Sequence, residues 1–249
     1  MRRIWFLSLI ASYLLLSYYA LGGWWNSSAG TLLIILFSYL VWHKDFTANT
    51  GLKTGLKTVI LSIALAAIVI FCSFMVMKHI AAGYNVTIQA TTWKNYYHDI
   101  FYTLNEEIVL GAIILFWLTR RKKIRPLWAS TGLALVFALI HFVFYKWIFL
   151  ERGIIGVSAL VTLFLIGFLR NSLILVTGHI GYSWALHFGW MAVMFGSNHL
   201  NRETGIALED YEKFNVYLGS PIMVMITAVL AASSLAYLIW KRPQTSNSQ

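Results

Sequence analysis

Long, mostly apolar runs follow one another through this chain, and they leave little choice of fold. A helix needs roughly 17 to 25 such residues to cross the hydrocarbon layer of a bilayer. Runs of about that length lie near Ile4 to Leu21, Trp24 to Trp42, Thr58 to Met77, Ile100 to Leu118, Trp128 to Phe149, Ile154 to Leu169, Ser172 to Phe195 and Tyr217 to Trp240. With 59% hydrophobic and only 11% charged residues in 249, a single soluble core could not hide them. The expected fold is all-α: a polytopic transmembrane helical bundle of about eight spans, in one integral membrane domain covering residues 1–249. Pro126, Pro221 and Pro243 fall near predicted helix ends, where a missing N–H does least harm. The polar tail 243–249 is expected to be disordered.

Charge sets the expected orientation. Arg2 and Arg3 ahead of the first apolar run resemble the start of a signal peptide, but that run is long for one, and a retained helix is the expectation. With both termini cytoplasmic, the inner segments carry Arg2, Arg3, Lys44, Lys53, Lys57, Arg120, Arg121, Lys122, Lys123, Arg125, Arg170, Lys241 and Arg242, thirteen of the nineteen basic residues. This is the positive-inside pattern of a multi-pass protein of the cell membrane. The net charge of +10 is then a topology signal and an attraction to anionic lipids at the basic cytoplasmic loops, with no nucleic-acid partner. Cys72 is the only cysteine, which excludes an internal disulfide or a thiolate metal cluster. Its apolar neighbours make it a packing residue.

Function is concentrated in a few polar residues inside the apolar runs. Glu106 and Glu107 are adjacent within the fourth run, His141 lies in the fifth and His187 in the seventh. A carboxylate inside a membrane helix is costly unless paired or neutralised, so such groups mark sites. Counting from the expected outer ends at 1.5 Å per residue, Glu106 sits roughly 9 Å deep and the two histidines roughly 12 Å deep. One level on three helices is what a shared polar cavity requires. Adjacent helical side chains diverge by about 100°, so one glutamate is expected to face a histidine and the other a neighbouring helix. A Glu and a His in contact can share a proton and activate water. His179, eight residues before His187, is expected to be structural.

These residues carry a resemblance. The stretches Glu106-Glu107-Ile108-Val109-Leu110-Gly111, Phe137-Ala138-Leu139-Ile140-His141 and His187-Phe188-Gly189-Trp190-Met191 are similar to the ordered motifs of the CPBP family, the CAAX-protease and bacteriocin-processing membrane proteases also called Abi. That family shows Glu-Glu-x-x-x-Arg, Phe-x-x-x-His and His-x-x-x-Asn or Asp on successive helices. Residues 100–195 form the motif-bearing core. Two positions depart from the pattern: Gly111 stands in place of the arginine and Met191 in place of the asparagine or aspartate. Met191 cannot donate a hydrogen bond, and Ser183, one turn before His187, is a candidate replacement donor.

The resemblance implies a glutamate-type intramembrane endopeptidase that needs no metal or other cofactor. In that scheme Glu106 and His141 activate a water, His187 stabilises the oxyanion, and Glu107 orients the site. The expected substrate is a membrane peptide or exported precursor, bearing a C-terminal sorting helix, a leader or a CAAX-type end. The alternatives are a catalytically inactive relative that binds a membrane peptide or partner, a proton-coupled transporter, and a Glu/His zinc enzyme.

Overall fold

The computed structural model describes residues 2–18, 24–83, 88–90, 92–144, 154–194, 198–200 and 218–240. Helices dominate, as the apolar runs require. They are α1 (Arg2–Tyr18), α2 (Asn26–Trp42), the single turn α3 (Phe46–Asn49), α4 (Leu56–Gly83), α5 (Trp93–Arg121), α6 (Pro126–Phe144), α7 (Ile154–Thr177), α8 (Gly181–Met194) and α9 (Pro221–Trp240). Two three-residue strands, β1 (Ile88–Ala90) and β2 (Asn198–Leu200), pair antiparallel with Ile88 opposite Leu200.

The helix α5 is the centre of the bundle. Within its most apolar window 72% of the residues are buried, against 11% for α4 and 17% for α9, so α4 and α9 leave most of their apolar surface exposed. Around it, α1 packs on α2, α2 on α5, α8 on α4, α6 on α7, and α7 on α9. The main apolar core joins Leu9 and Tyr13 of α1, Ile34 of α2, Ile108 to Leu115 of α5, Phe137 of α6 and Leu163 and Ile174 of α7. Polar ties fix the angular position of α5. The Asn105 amide donates to the Ser27 carbonyl at 2.9 Å and accepts from the Thr31 hydroxyl at 2.6 Å, holding α5 to α2. On another side the Trp184 indole of α8 donates to the Ile100 carbonyl at 3.2 Å.

Small residues decide where helices touch. A Cβ at Gly189 of α8 would lie 2.7 Å from the Val69 Cβ and 3.0 Å from the Ala66 carbonyl oxygen of α4, so these helices meet backbone to backbone. Between α7 and α8 the chain turns at Gly178, whose φ of +76° favours glycine. The turn is closed by hydrogen bonds from Gly178 N–H to Ile174 at 2.8 Å and from Ile180 N–H to the Gly51 carbonyl at 3.0 Å. His179 caps the next helix, its Nδ1 accepting the Gly181 N–H at 3.1 Å, in keeping with the structural part expected of it.

Several boundaries differ from those read in the sequence. The break expected at Arg170 and Asn171 does not occur. α7 runs through both to Thr177, because no glycine or proline lies between Arg170 and Gly178. Arg170 is therefore a buried helix residue and leaves the set of loop cations. α5 begins at Trp93 rather than Ile100, which places Glu106 and Glu107 near the helix middle rather than near one end. Four helices are long and apolar enough to cross a membrane: Leu56–His79, Trp93–Arg121, Val157–Thr177 and Pro221–Trp240. The apolar helices Ile4–Leu16 and Pro126–His141 are shorter. Cys72, expected to pack inside, is exposed on α4. The tail 243–249 lies outside the described residues.

Two outcomes follow from this packing. Gly189→Val overpacks the α4–α8 contact and lowers stability by about 1–3 kcal/mol, measured as thermal unfolding in detergent; an unchanged melting temperature would contradict the contact. Burial holds the His179 imidazole below its ordinary value of 6.5, and only the neutral ring can accept the Gly181 N–H. The stability this contributes is complete above that ordinary value and is lost as pH falls through the lowered one. Melting temperature should therefore drop on acidification below 6.5, and His179→Asn, a cap that does not titrate, should flatten that part of the profile.

Candidate active site

The centre of the bundle is polar where α5 carries its acids. Glu106 and Glu107 are both fully buried. Glu107 opens a π-helical stretch, Glu107–Ile113. The wider turn of a π-helix brings consecutive side chains closer in direction than an α-helix does, and such stretches are frequent at functional sites. Both carboxylates consequently reach the same imidazole. His187 Nδ1 lies 3.0 Å from Glu107 Oε1, and its Nε2 lies 3.6 Å from Glu106 Oε2. The expectation that the two acids would turn to different helices is corrected here: His187 is bracketed by them, one on each ring nitrogen.

Each member of the cluster is held by a neighbour. The Tyr102 hydroxyl, one turn before Glu106, donates to Glu106 Oε1 at 3.1 Å. His141 Nδ1 lies 2.7 Å from the Phe137 carbonyl oxygen. A carbonyl can only accept, so Nδ1 carries hydrogen and Nε2 is the acceptor nitrogen of the neutral ring. Phe137 stands between the two histidines, edge-on to His141 at 4.6 Å and to His187 at 6.2 Å between ring centroids. Glu106, His187 and Arg170 all lie within electrostatic reach of His141. The four residues picked out in the sequence are thus gathered in one place, with Phe137 against both histidines.

The structure adds residues that the sequence did not single out. Arg170 of α7 is buried, with its guanidinium carbon 4.3 Å above the Phe137 ring. Its Nε and Nη2 donate to Asn171 Oδ1 at 3.3 and 3.2 Å. Asn171 in turn donates to the Ser130 carbonyl of α6 at 3.0 Å. Tyr102 could have been found from its spacing of four before Glu106 on the same helical face. Arg170 was hidden by its reading as a loop cation. Ser183 is buried beside His187, but its hydroxyl donates to the Ile180 carbonyl at 2.9 Å, and Met191 is buried one turn beyond His187. Among the described residues, no group of three or more His, Cys, Asp or Glu side chains is arranged to hold a metal ion.

An apolar cavity of about 220 Å³ adjoins the cluster. Its walls come from α4, α7, α8 and α9, including Val69, Leu169, Trp190 and Ile226, and His187 and Arg170 form its polar side. Two of these walls, α4 and α9, are the least buried of the four long apolar helices.

Comparison with known proteins bears on this arrangement. Residues 88–193, somewhat less than half of the chain, match the family model described as type II CAAX prenyl endopeptidase, Rce1-like. Over this segment the chain is similar to that family. The matched segment runs from β1 through α8 and contains Glu106, Glu107, His141, Arg170 and His187, so the Rce1-like region and the buried cluster coincide. The family is one of peptidases acting on CAAX-type substrates, as the motifs implied. No curated protein and no solved structure matches the chain.

The bracketed imidazole has an energetic consequence. His187→Ala leaves two buried carboxylates without their common partner and should cost about 3–5 kcal/mol. Glu107→Gln in the same background should cost less than it does alone, a coupling of about 1–3 kcal/mol in unfolding measurements. Additive losses would show that the two side chains do not interact.

Proposed function

We propose that the chain is an intramembrane endopeptidase in which Glu106, with His141, activates a water for attack on a peptide carbonyl. The observation that carries this reading is the bracketing of His187 by two buried glutamates beside an apolar cavity within the Rce1-like segment. Glu106 takes the proton of the water as its oxygen bonds to the carbonyl carbon. The tetrahedral intermediate then collapses, the carbon–nitrogen bond breaks, and Glu106 returns the proton to the leaving amine. His141 Nε2, the acceptor nitrogen of its neutral ring, holds the second water hydrogen.

The geometry favours a division of labour different from the one the motif order implied. With carboxylates on both nitrogens, His187 is better suited to hold Glu106 and Glu107 in register than to donate to an oxyanion. Glu107 orients His187. The apolar cavity suits a membrane-associated substrate whose apolar part enters from lipid between α4 and α9 while its scissile bond meets the cluster. A bonded and water-poor site of this kind strengthens each electrostatic contact within it. Basic segments such as Arg120 to Arg125 would meet anionic lipid headgroups.

The test uses purified protein in lipid vesicles with a fluorogenic peptide ending in a farnesylated CAAX sequence. A second peptide, carrying an apolar transmembrane segment and no prenyl group, distinguishes the two substrate forms. Wild type should cleave at least one. Glu106→Gln and His141→Ala should each lower kcat at least about a hundredfold while melting near wild type. Cleavage by Glu106→Gln at the wild-type rate would sink the assignment.

A further inference from the structure

Arg170 is the one buried side chain at the site whose charge the reaction scheme leaves unused. An arginine remains protonated at any physiological pH, and a buried cation without a counter-charge is strongly disfavoured. The buried acids among the described residues are Asp99, Glu106 and Glu107, and Glu106 shares the neighbourhood of His141 with Arg170.

The position of the guanidinium is specific. A Cβ built at Gly111 would lie 3.4 Å from Glu107 Oε2 and 3.8 Å from Arg170 Nε. The missing side chain at 111 thus leaves the gap that the Glu107 carboxylate enters from α5 and the Arg170 guanidinium from α7. Glu107 Oε2 and Arg170 Nη1 are both buried and make no hydrogen bond to any described residue. The same Cβ would lie 2.8 Å from Ile174 Cδ1, so glycine at 111 is also what lets α7 approach α5 this closely. Gly167, three residues before Arg170, does the same for α6, where a Cβ would sit 3.0 Å from Phe137 Cδ1 and 3.1 Å from Ala134 Cα.

We infer that Arg170 is a positioning residue for the proposed reaction, delivering from α7 the positive charge that a side chain at position 111 of α5 would otherwise supply. The inference rests on the hydrolytic reading above and deepens it. The guanidinium is fixed by its two bonds to Asn171, by the Asn171 anchor on the Ser130 carbonyl, and by the Phe137 ring beneath it. So held, its field acts on the Glu107 carboxylate. Glu107 in turn sets the orientation of His187 through Nδ1, and His187 meets Glu106 through Nε2. Arg170 touches neither the water nor the scissile bond. Its effect should therefore fall on kcat rather than KM.

The experiment moves the charge from one helix to the other. In vesicles, with the farnesylated CAAX peptide or, if only that one is cleaved, the transmembrane peptide, Arg170→Gln should lower kcat about a hundredfold and leave KM within about threefold, a change that gating of the cavity would not produce. Adding Gly111→Arg together with Ile174→Ala, which clears the Ile174 contact, should recover at least about tenfold of kcat. Wild-type kcat in Arg170→Gln, or no recovery in the relocated variant, overturns the inference. If Arg170→Gln alone does not fold, the relocated variant decides: folded and active supports it, unfolded or inactive overturns it. Thermal unfolding of Arg170→Gln, Glu107→Gln and the double variant needs no substrate. Non-additive losses support the charge pairing even if wild type cleaves neither peptide, which would remove the hydrolytic reading instead, and additive losses count against the pairing.

Discussion

Two carboxylates on consecutive residues, both fully buried, set the terms for the whole bundle. A buried acid is tolerated where a proton, a cation or a set of hydrogen bonds meets it, and here groups from α5 itself and from two neighbouring helices gather around the pair. Tyr102 serves Glu106 from within α5, His187 reaches both acids from α8, and Arg170 comes from α7. Those contributions need close helix approaches, and the sequence supplies glycines at the contacts. Gly189 brings α8 against α4, Gly167 brings α7 against α6, and Gly111 opens the space between α5 and α7. The π-helical stretch from Glu107 belongs to the same solution, since it turns two adjacent acids toward one imidazole.

The polar cluster and the apolar cavity divide the proposed chemistry between them. His187 and Arg170 belong to both, forming the wall where the chamber among α4, α7, α8 and α9 meets the acids. An apolar substrate segment would be accommodated by dispersion and exclusion of water on one side of that wall, and the peptide bond would be presented to charged groups on the other. The low dielectric of such a setting makes each charge–charge contact stronger than it would be in water, which is why the positions of Glu107 and Arg170 matter although neither takes part in bond making.

The class of fold and the residues of the candidate site were legible in the sequence for one reason: charge and imidazole are rare inside long apolar runs, so Glu106, Glu107, His141 and His187 stood out individually. Their grouping was expected from their similar depth on three helices. What was not legible followed from the same habit of reading charge as an interruption. Arg170 was taken to end a span, whereas it sits inside α7, whose stop signal is Gly178 with its positive φ. The start of α5 was placed at Ile100 because the preceding turns carry Lys94, Asn95, His98 and Asp99, yet those turns are helical and bear the aromatic cluster of Trp93 and Tyr97 against Trp24. The shared imidazole depends on a local π-helical turn, and nothing in residue periodicity announces one.

At the centre of this account stands a carboxylate that acts on water rather than on the peptide itself. Single-turnover cleavage in water enriched in oxygen-18, followed by mass spectrometry of product and protein, examines that step directly. Attack by water places one heavy oxygen in the new C-terminal carboxyl of the product and leaves the α5 glutamates unlabelled. Label appearing in Glu106 or Glu107, with product that carries none, would mean that the carboxylate had bonded to the substrate, and would contradict the mechanism.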